Sequence, residues 1–217
     1  NLSGGSQFAA PLSGESSSNL HSLIGRVNYT LLDRYNATAT FRADRSSRFS
    51  HNHNWGVFPS LGLSWNVDQE RFLKSQGWLS SLKLRASVGT VGNQEIGDYQ
   101  YSTAYTTSTT GGNVHYTKSN AANSNLKWET TASANIGIEA SFLQDRISIT
   151  LEYYHKKTLD LLLTVPVDVA KYGVSSQLQN IGNVVNRGFE VSLDFTPIRN
   201  KRLLWNIQGN LGYNKNE

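Results

Sequence analysis

The segment Leu126 to Phe142, LKWETTASANIGIEASF, keeps its apolar residues on even positions and Lys127, Glu129 and Glu139 on odd ones. Successive side chains of a strand point to opposite faces, so a period of two separates an oily face from a wet one. What the oily face touches decides the class of fold.

The same separation recurs along the chain. Leu23 to Leu31 alternates around Arg26 and Asn28, and Tyr35 to Asp44 follows after a short turn at Asp33, so the two read as a hairpin. Trp55 to Val67 forms a third apolar row, broken only by Phe58 on the other side. Further rows run over Leu82 to Val88, Leu126 to Phe142, Ile147 to Tyr154, Phe189 to Phe195 and Leu203 to Asn214, eight strands in all. Charged residues in and beside these spans, including Arg26, Arg42, Asp44, Lys83, Arg85, Glu139, Glu152, Glu190 and Asp194, fall on the polar face. The apolar face carries none within those spans.

Composition narrows the choices. Hydrophobic residues make up 38% of 217 and aromatic residues 11%, with Ser, Thr, Asn and Gly abundant, a mixture that favours strands and turns. The absence of cysteine rules out a disulfide framework or a thiolate metal site. No run of about 18 apolar residues occurs, which excludes a transmembrane helix and leaves a barrel strand open. The net charge of +4 is spread along the chain rather than clustered, against nucleic-acid binding. The opening NLSGGSQFAAPLSGESSS lacks the pattern of a signal peptide, so the chain reads as cytosolic, already processed or part of something longer, with the last favoured.

A soluble β-sandwich also alternates, with its apolar side inward. Three features favour a membrane. Several strands exceed the usual five or six residues and reach the roughly 9 to 11 that a tilted membrane strand needs. Trp55 and Trp65 end one apolar row and are separated by roughly 25 Å along the membrane normal, the height of a barrel's lipid-facing band. Tight turns near Asp33, Gln144 to Asp145 and Pro197 to Lys201 alternate with long connections at Gly92 to Asn125 and Leu159 to Asn183, matching short periplasmic turns and long external loops. The segment Asp68 to Ser80 is longer than this scheme allows, and a helical turn packing Phe72 and Leu73 on the rim is expected there. Eight strands could close a small barrel by themselves.

The phrases GRVNYTLLDRY, ATFRADRSSRF, WGVFPSLGLSW, LKLRASVGTVGNQEIGDYQY, LKWETT, DRISITLEYYHKKTLDLLL and NVVNRGFEV occur in that order. Together they resemble the C-terminal barrel region of SusC/RagA-type TonB-dependent outer-membrane transporters of Bacteroidetes, from about Ser22 onward. Arg45 departs from the family phrase, which carries Gly there, and puts the turn at that position in question. The resemblance implies residues 1–217 as part of one antiparallel barrel of roughly 22 strands around a separate plug. It also implies coupling to TonB through an N-terminal region, an outer-membrane location, and a SusD-like lipoprotein that helps capture glycans or peptides. Plug, TonB box and remaining strands are not in this sequence, which is expected to be a fragment unable to transport alone; it also lacks the terminal aromatic common in finished barrels.

Candidate chemistry is sparse. Glu129 and Glu139 share a face but lie too far apart for glycosidase carboxylates, so no catalytic role is assigned. His51 and His53 lack a third ligand, and no metal or cofactor is expected. Arg26, Arg42, Arg85, Glu129, Glu139, Glu152 and Glu190 are expected to face a water-filled lumen, pairing across strands or with the plug. Tyr99, Tyr101, Tyr105 and Tyr116 lie in or beside the first long connection and are candidates for substrate or lipoprotein contact. Two other readings stand beside the transporter: an autonomous eight-stranded structural or adhesion barrel, and a soluble carbohydrate-binding sandwich.

Overall fold

The computed structural model describes residues 15–74, 76–110 and 113–217. Eight long strands form one antiparallel sheet: β1 (Leu20–Leu31), β2 (Tyr35–Ser46), β3 (Trp55–Asn66), β4 (Leu79–Asn93), β7 (Glu129–Phe142), β8 (Ile147–Leu159), β11 (Asn183–Arg199) and β12 (Leu204–Asn216). Neighbours in the sheet follow chain order, β1-β2-β3-β4-β7-β8-β11-β12, so every connection is a hairpin or a hairpin with an excursion. Two excursions carry small hairpins of their own. β5 (Ala104–Thr110) pairs with β6 (Asn113–Asn120), and β9 (Leu162–Pro166) pairs with β10 (Ser176–Asn180) around a helical turn, α1 (Val169–Tyr172). No helix among the described residues is long and apolar enough to cross a membrane.

The register carries the alternation from strand to strand. Tyr29, Ala37, Leu63, Ala86, Ile136, Tyr153, Phe189 and Tyr213 are successive partners across all eight strands, forming one apolar row. Among the described residues nothing covers this face: Leu63 is 51% exposed and Ile136 60%. A soluble sheet would lose about 25 cal/mol per Å² for every such side chain left in water, so a bare apolar face on every strand is built for lipid. The sandwich reading therefore fails, because among the described residues the other sheets are only the two-stranded β5–β6 and β9–β10 hairpins, too small to cover that face. Closure on eight strands fails as well, because β1 and β12 form the two edges of the sheet and are not paired with each other among the described residues.

Several expectations shift at the strand ends. Leu126 and Trp128 precede β7 and are buried away from the apolar face, at 0% and 6% exposure. Arg45 lies inside β2 opposite Trp55, so no turn forms there and its side chain is accommodated in extended backbone. β11 continues to Arg199 through an irregularity between Phe195 and Ile198, where Pro197 cannot donate to the ladder, and the turn comes later. Strands also run past the purely apolar spans, so that His155, Lys157, Arg187 and Lys215 extend the outward row beyond its charge-free stretch.

The Asp68–Ser80 connection holds its helical turn at Val67–Gln69, ahead of the expected place, and Phe72 is exposed rather than packed. Its anchor is Glu70, which accepts from the Tyr35 hydroxyl at 2.7 Å, the Trp65 indole at 3.2 Å and Arg34 at 2.9 Å. Tyr35 and Trp65 stack at 6.0 Å, their rings in the apolar row and their polar tips on one carboxylate.

Candidate functional site: the polar face and its loop assembly

The face opposite the apolar one is polar, and its charges meet in two groups. On β4, β7 and β8, the Arg85 guanidinium lies 2.9 Å from Glu139 and donates to Glu152 at 2.6 Å. Arg85 is the register partner of Gly137, which is in turn the partner of Glu152, so the side chain crosses an entire strand to reach its acceptor. A Cβ on Gly137 would sit 2.9 Å from Arg85 Nε. The missing side chain makes the bridge fit. Glu190 is directly opposite Glu152, so Arg85 also offsets like-charge repulsion across β8 and β11.

The second group lies on β1 and β2. Arg42 donates through Nε to both carboxylate oxygens of Asp44, which is only 4% exposed, and Arg26 donates to Thr40 at 3.3 Å. These residues line a recess of about 660 Å³ whose upper wall is Phe58 and Trp128. Gln94 borders the same recess, and its side-chain oxygen is buried without a hydrogen-bond partner among the described residues.

Above the recess the long connections share a small core of Phe49, Phe58, Ile96, Leu126 and Trp128, with Leu162 and Leu178 packed against it. Phe58, the one apolar residue on the polar side of β3, is its centre: its ring meets Trp128 edge-on at 5.4 Å. A Cβ on Gly92 would fall 2.0 Å from the Phe58 ring, so only glycine admits the ring there. Polar bonds complete the assembly. Asn123 donates to the Leu178 carbonyl at 2.8 Å, buried Gln177 to Ala122 at 2.7 Å, and Asn180 bridges both backbone groups of Lys127. Glu129 accepts from the Leu162 N–H at 3.0 Å, which places it as a loop anchor at the top of β7 rather than in the Arg85 group. His53 points its ring at the Ser124 carbonyl, 3.2 Å away.

Asp98 joins the assembly through Ser16 and through Arg48, 3.0 Å away. The Ser16 hydroxyl, then Arg48, holds its carboxyl below the usual range against the opposing effect of desolvation. Beside it, Tyr99 has a left-handed backbone, φ 61°, and its hydroxyl lies 3.3 Å from Ser17. Tyr105 and Tyr116 are diagonal neighbours on the β5–β6 hairpin, both widely exposed, while Tyr101 is half-buried at the hairpin base. A second recess of about 410 Å³ opens between the two small hairpins, with Glu95, Gln100, Asn120, Thr164 and Gln177 on its walls.

Phe58, Trp128, Asp98 and Gln177 carry no site signal in the sequence, except that Phe58 interrupts an otherwise clean row. Chemically, the arrangement offers hydrogen-bonding side chains and aromatic faces around open recesses. Among the described residues no three potential ligands gather for a metal ion.

An uncovered sheet with lipid-facing and polar sides, long excursions at one end and short turns at the other, defines a wall of a transmembrane β-barrel. The sequence profile described as TonB dependent receptor-like, beta-barrel matches residues 3–217, and the chain belongs to that family. It is 42% identical to the TonB-dependent receptor SusC of Bacteroides thetaiotaomicron over 206 residues, 91% of this chain and 20% of that protein. It is 41% identical to TonB-dependent receptor P39 of Formosa agariphila, over 91% of this chain and 19% of the relative. Among solved structures, the RagAB peptide transporter superposes with a TM-score of 0.85 at 32% identity, covering 92% of this chain and 22% of that one. The siderophore receptor PirA from Pseudomonas aeruginosa matches at 21% identity with a TM-score of 0.61, a likeness of fold. The chain thus spans about a fifth of the length of the SusC and RagAB chains it matches.

Proposed function

We propose that these residues form part of the wall of an outer-membrane importer that takes up glycans or peptides. Strands from the rest of a full-length receptor pair with the edges β1 and β12, and its plug, coupled to TonB, packs against the polar face. Arg26, Arg42, Arg85, Glu139, Glu152 and Glu190 line the interior. Arg85 paired with Glu139 and Glu152, and Arg42 paired with Asp44, hold wall and plug in register, and the recess of about 660 Å³ beside Arg26 and Arg42 faces passing solute. A SusD-like lipoprotein caps the long-connection end.

The observation that carries the reading is the loop assembly. The long connections are not independent loops but one platform on the Phe58–Trp128 core, facing outward with Tyr105 and Tyr116 on its β5–β6 hairpin. Hydroxyl and amide groups around the 410 Å³ recess suit sugar hydroxyls or peptide backbone, and exposed tyrosines suit stacking or a protein partner. Support comes also from the similarity to SusC and to the RagAB peptide transporter. The test is Tyr105→Ala with Tyr116→Ala in the full-length receptor: co-purification of a SusD-like lipoprotein or substrate uptake should fall while membrane insertion is kept. Unchanged capture and uptake would remove these residues from the proposal.

A further inference from the structure

The outward face changes character at the long-connection end in a way that neither packing nor import requires. Ala134, His155, Arg187 and Lys215 are successive register partners across β7, β8, β11 and β12, and Lys157 lies two residues further along β8. Directly beneath this row runs Tyr153, Phe189 and Tyr213, with Phe189 and Tyr213 stacked at 5.6 Å. From Ile147 at the short-turn end to His155, a tilted strand rises roughly 20 Å, so the cations stand near the far boundary of a lipid-facing band about 25 Å tall.

A second feature meets them. An apolar groove of about 330 Å³ opens on the same face where the small Ala86 and Ala134 lie between Leu61, Leu63 and Tyr153, and it ends at the His155 ring. Glu217 accepts from Arg187 at 3.2 Å and from Lys215, which shows these two cations converging on a single anion. Lys157 and His155 have no carboxylate partner among the described residues, and the patch keeps a positive excess.

We propose that groove and cations together form a site for a phosphate-bearing lipid of the outer leaflet, one acyl chain lying over Ala86 and Ala134 and the phosphate held by Lys157, Arg187 and Lys215. Each basic side chain at such a boundary adds attraction for anionic headgroups, and an alkyl chain fills a trough that lipid would otherwise leave poorly packed. The inference rests on barrel membership and on the long connections being external, not on the nature of the imported substrate.

The test uses the full-length receptor in detergent micelles, with diphosphoryl lipid A, phosphatidylcholine and inorganic phosphate as separate probes, read by native mass spectrometry. Wild type should retain lipid A on the order of tenfold or more over phosphatidylcholine, and combined Lys157→Ala, Arg187→Ala and Lys215→Ala should abolish that preference. Ala134→Leu should weaken both lipids while leaving the preference intact. Lys157→Gln alone, at an exposed strand end, should lower the preference even where the triple variant does not insert. Equal retention of the two lipids by wild type, an unchanged preference in the variants, or full displacement by inorganic phosphate would overturn the proposal. Labelling of a Thr107→Cys variant on intact cells checks the orientation independently.

Discussion

Arg85 reaches Glu152 at 2.6 Å by lying across Gly137, so the ion pair joins β4 to β8 over the strand between them, whose Glu139 meets the same guanidinium at 2.9 Å. All three side chains of the Arg85 group are a quarter to two-fifths exposed, which keeps the pair's worth modest. A double-mutant cycle of Arg85→Gln and Glu152→Gln should give a coupling of about 0.5 to 1 kcal/mol. Gly137→Val should cost stability and remove that coupling, since its side chain would take the guanidinium's place. Coupling that survives Gly137→Val would show that the glycine is not what admits the bridge.

Phe58 is 7% exposed and touches both Trp128 and the backbone space over Gly92. Phe58→Ala should destabilise the loop assembly by about 3 kcal/mol. Because the sheet's own ladder is untouched, the loss should show as faster hydrogen exchange in residues 94–128 and 160–182, with the eight strands still protected. Uniform loss of protection would instead make Phe58 part of the sheet's global stability.

The Glu70 clamp gives a pH dependence with a definite sign. The Tyr35 hydroxyl, followed by the Trp65 indole and Arg34, holds the Glu70 carboxyl below its ordinary range, against a smaller upward effect of desolvation. A carboxyl with a lowered folded pKa contributes stability that is complete above its unfolded pKa and disappears as pH falls through the folded one. Acidification through and below the usual carboxylate range should therefore release the Asp68–Trp78 connection, seen as increased protease cleavage there. Glu70→Gln should make that connection equally loose at neutral and acidic pH.

Much of this architecture is legible in the sequence because a sheet with lipid on one side and water on the other enforces a period of two. All eight long strands announce themselves that way. Where the outside environment ceases to be lipid, the signal ends too. Lys157 and Arg187 continue their strands beyond the clean alternation, and β4 extends to Asn93 past a row that reads as ending at Val88. The β5–β6 and β9–β10 hairpins meet water or other loops on both faces, so TAYTTSTT and LLTVP carry strand-forming Thr, Tyr and Val without alternation. Leu126 and Trp128 imitate the start of an apolar row while belonging to the loop core, a distinction that depends on long-range packing with Phe49 and Phe58. Phe58, out of step with its own strand, was the one residue whose misfit pointed to that core.

If the uncovered face meets lipid, an arginine placed on it must be costly. Leu63, Leu84 and Ile138 lie on that face inside their strands, whereas Ser87 and Asn135 are partners on the polar one. In the full-length receptor folded into bilayers, Leu63→Arg, Leu84→Arg and Ile138→Arg should each cost about 2 to 4 kcal/mol, against near zero for Ser87→Arg. A negligible cost at all three outward positions would contradict the assignment.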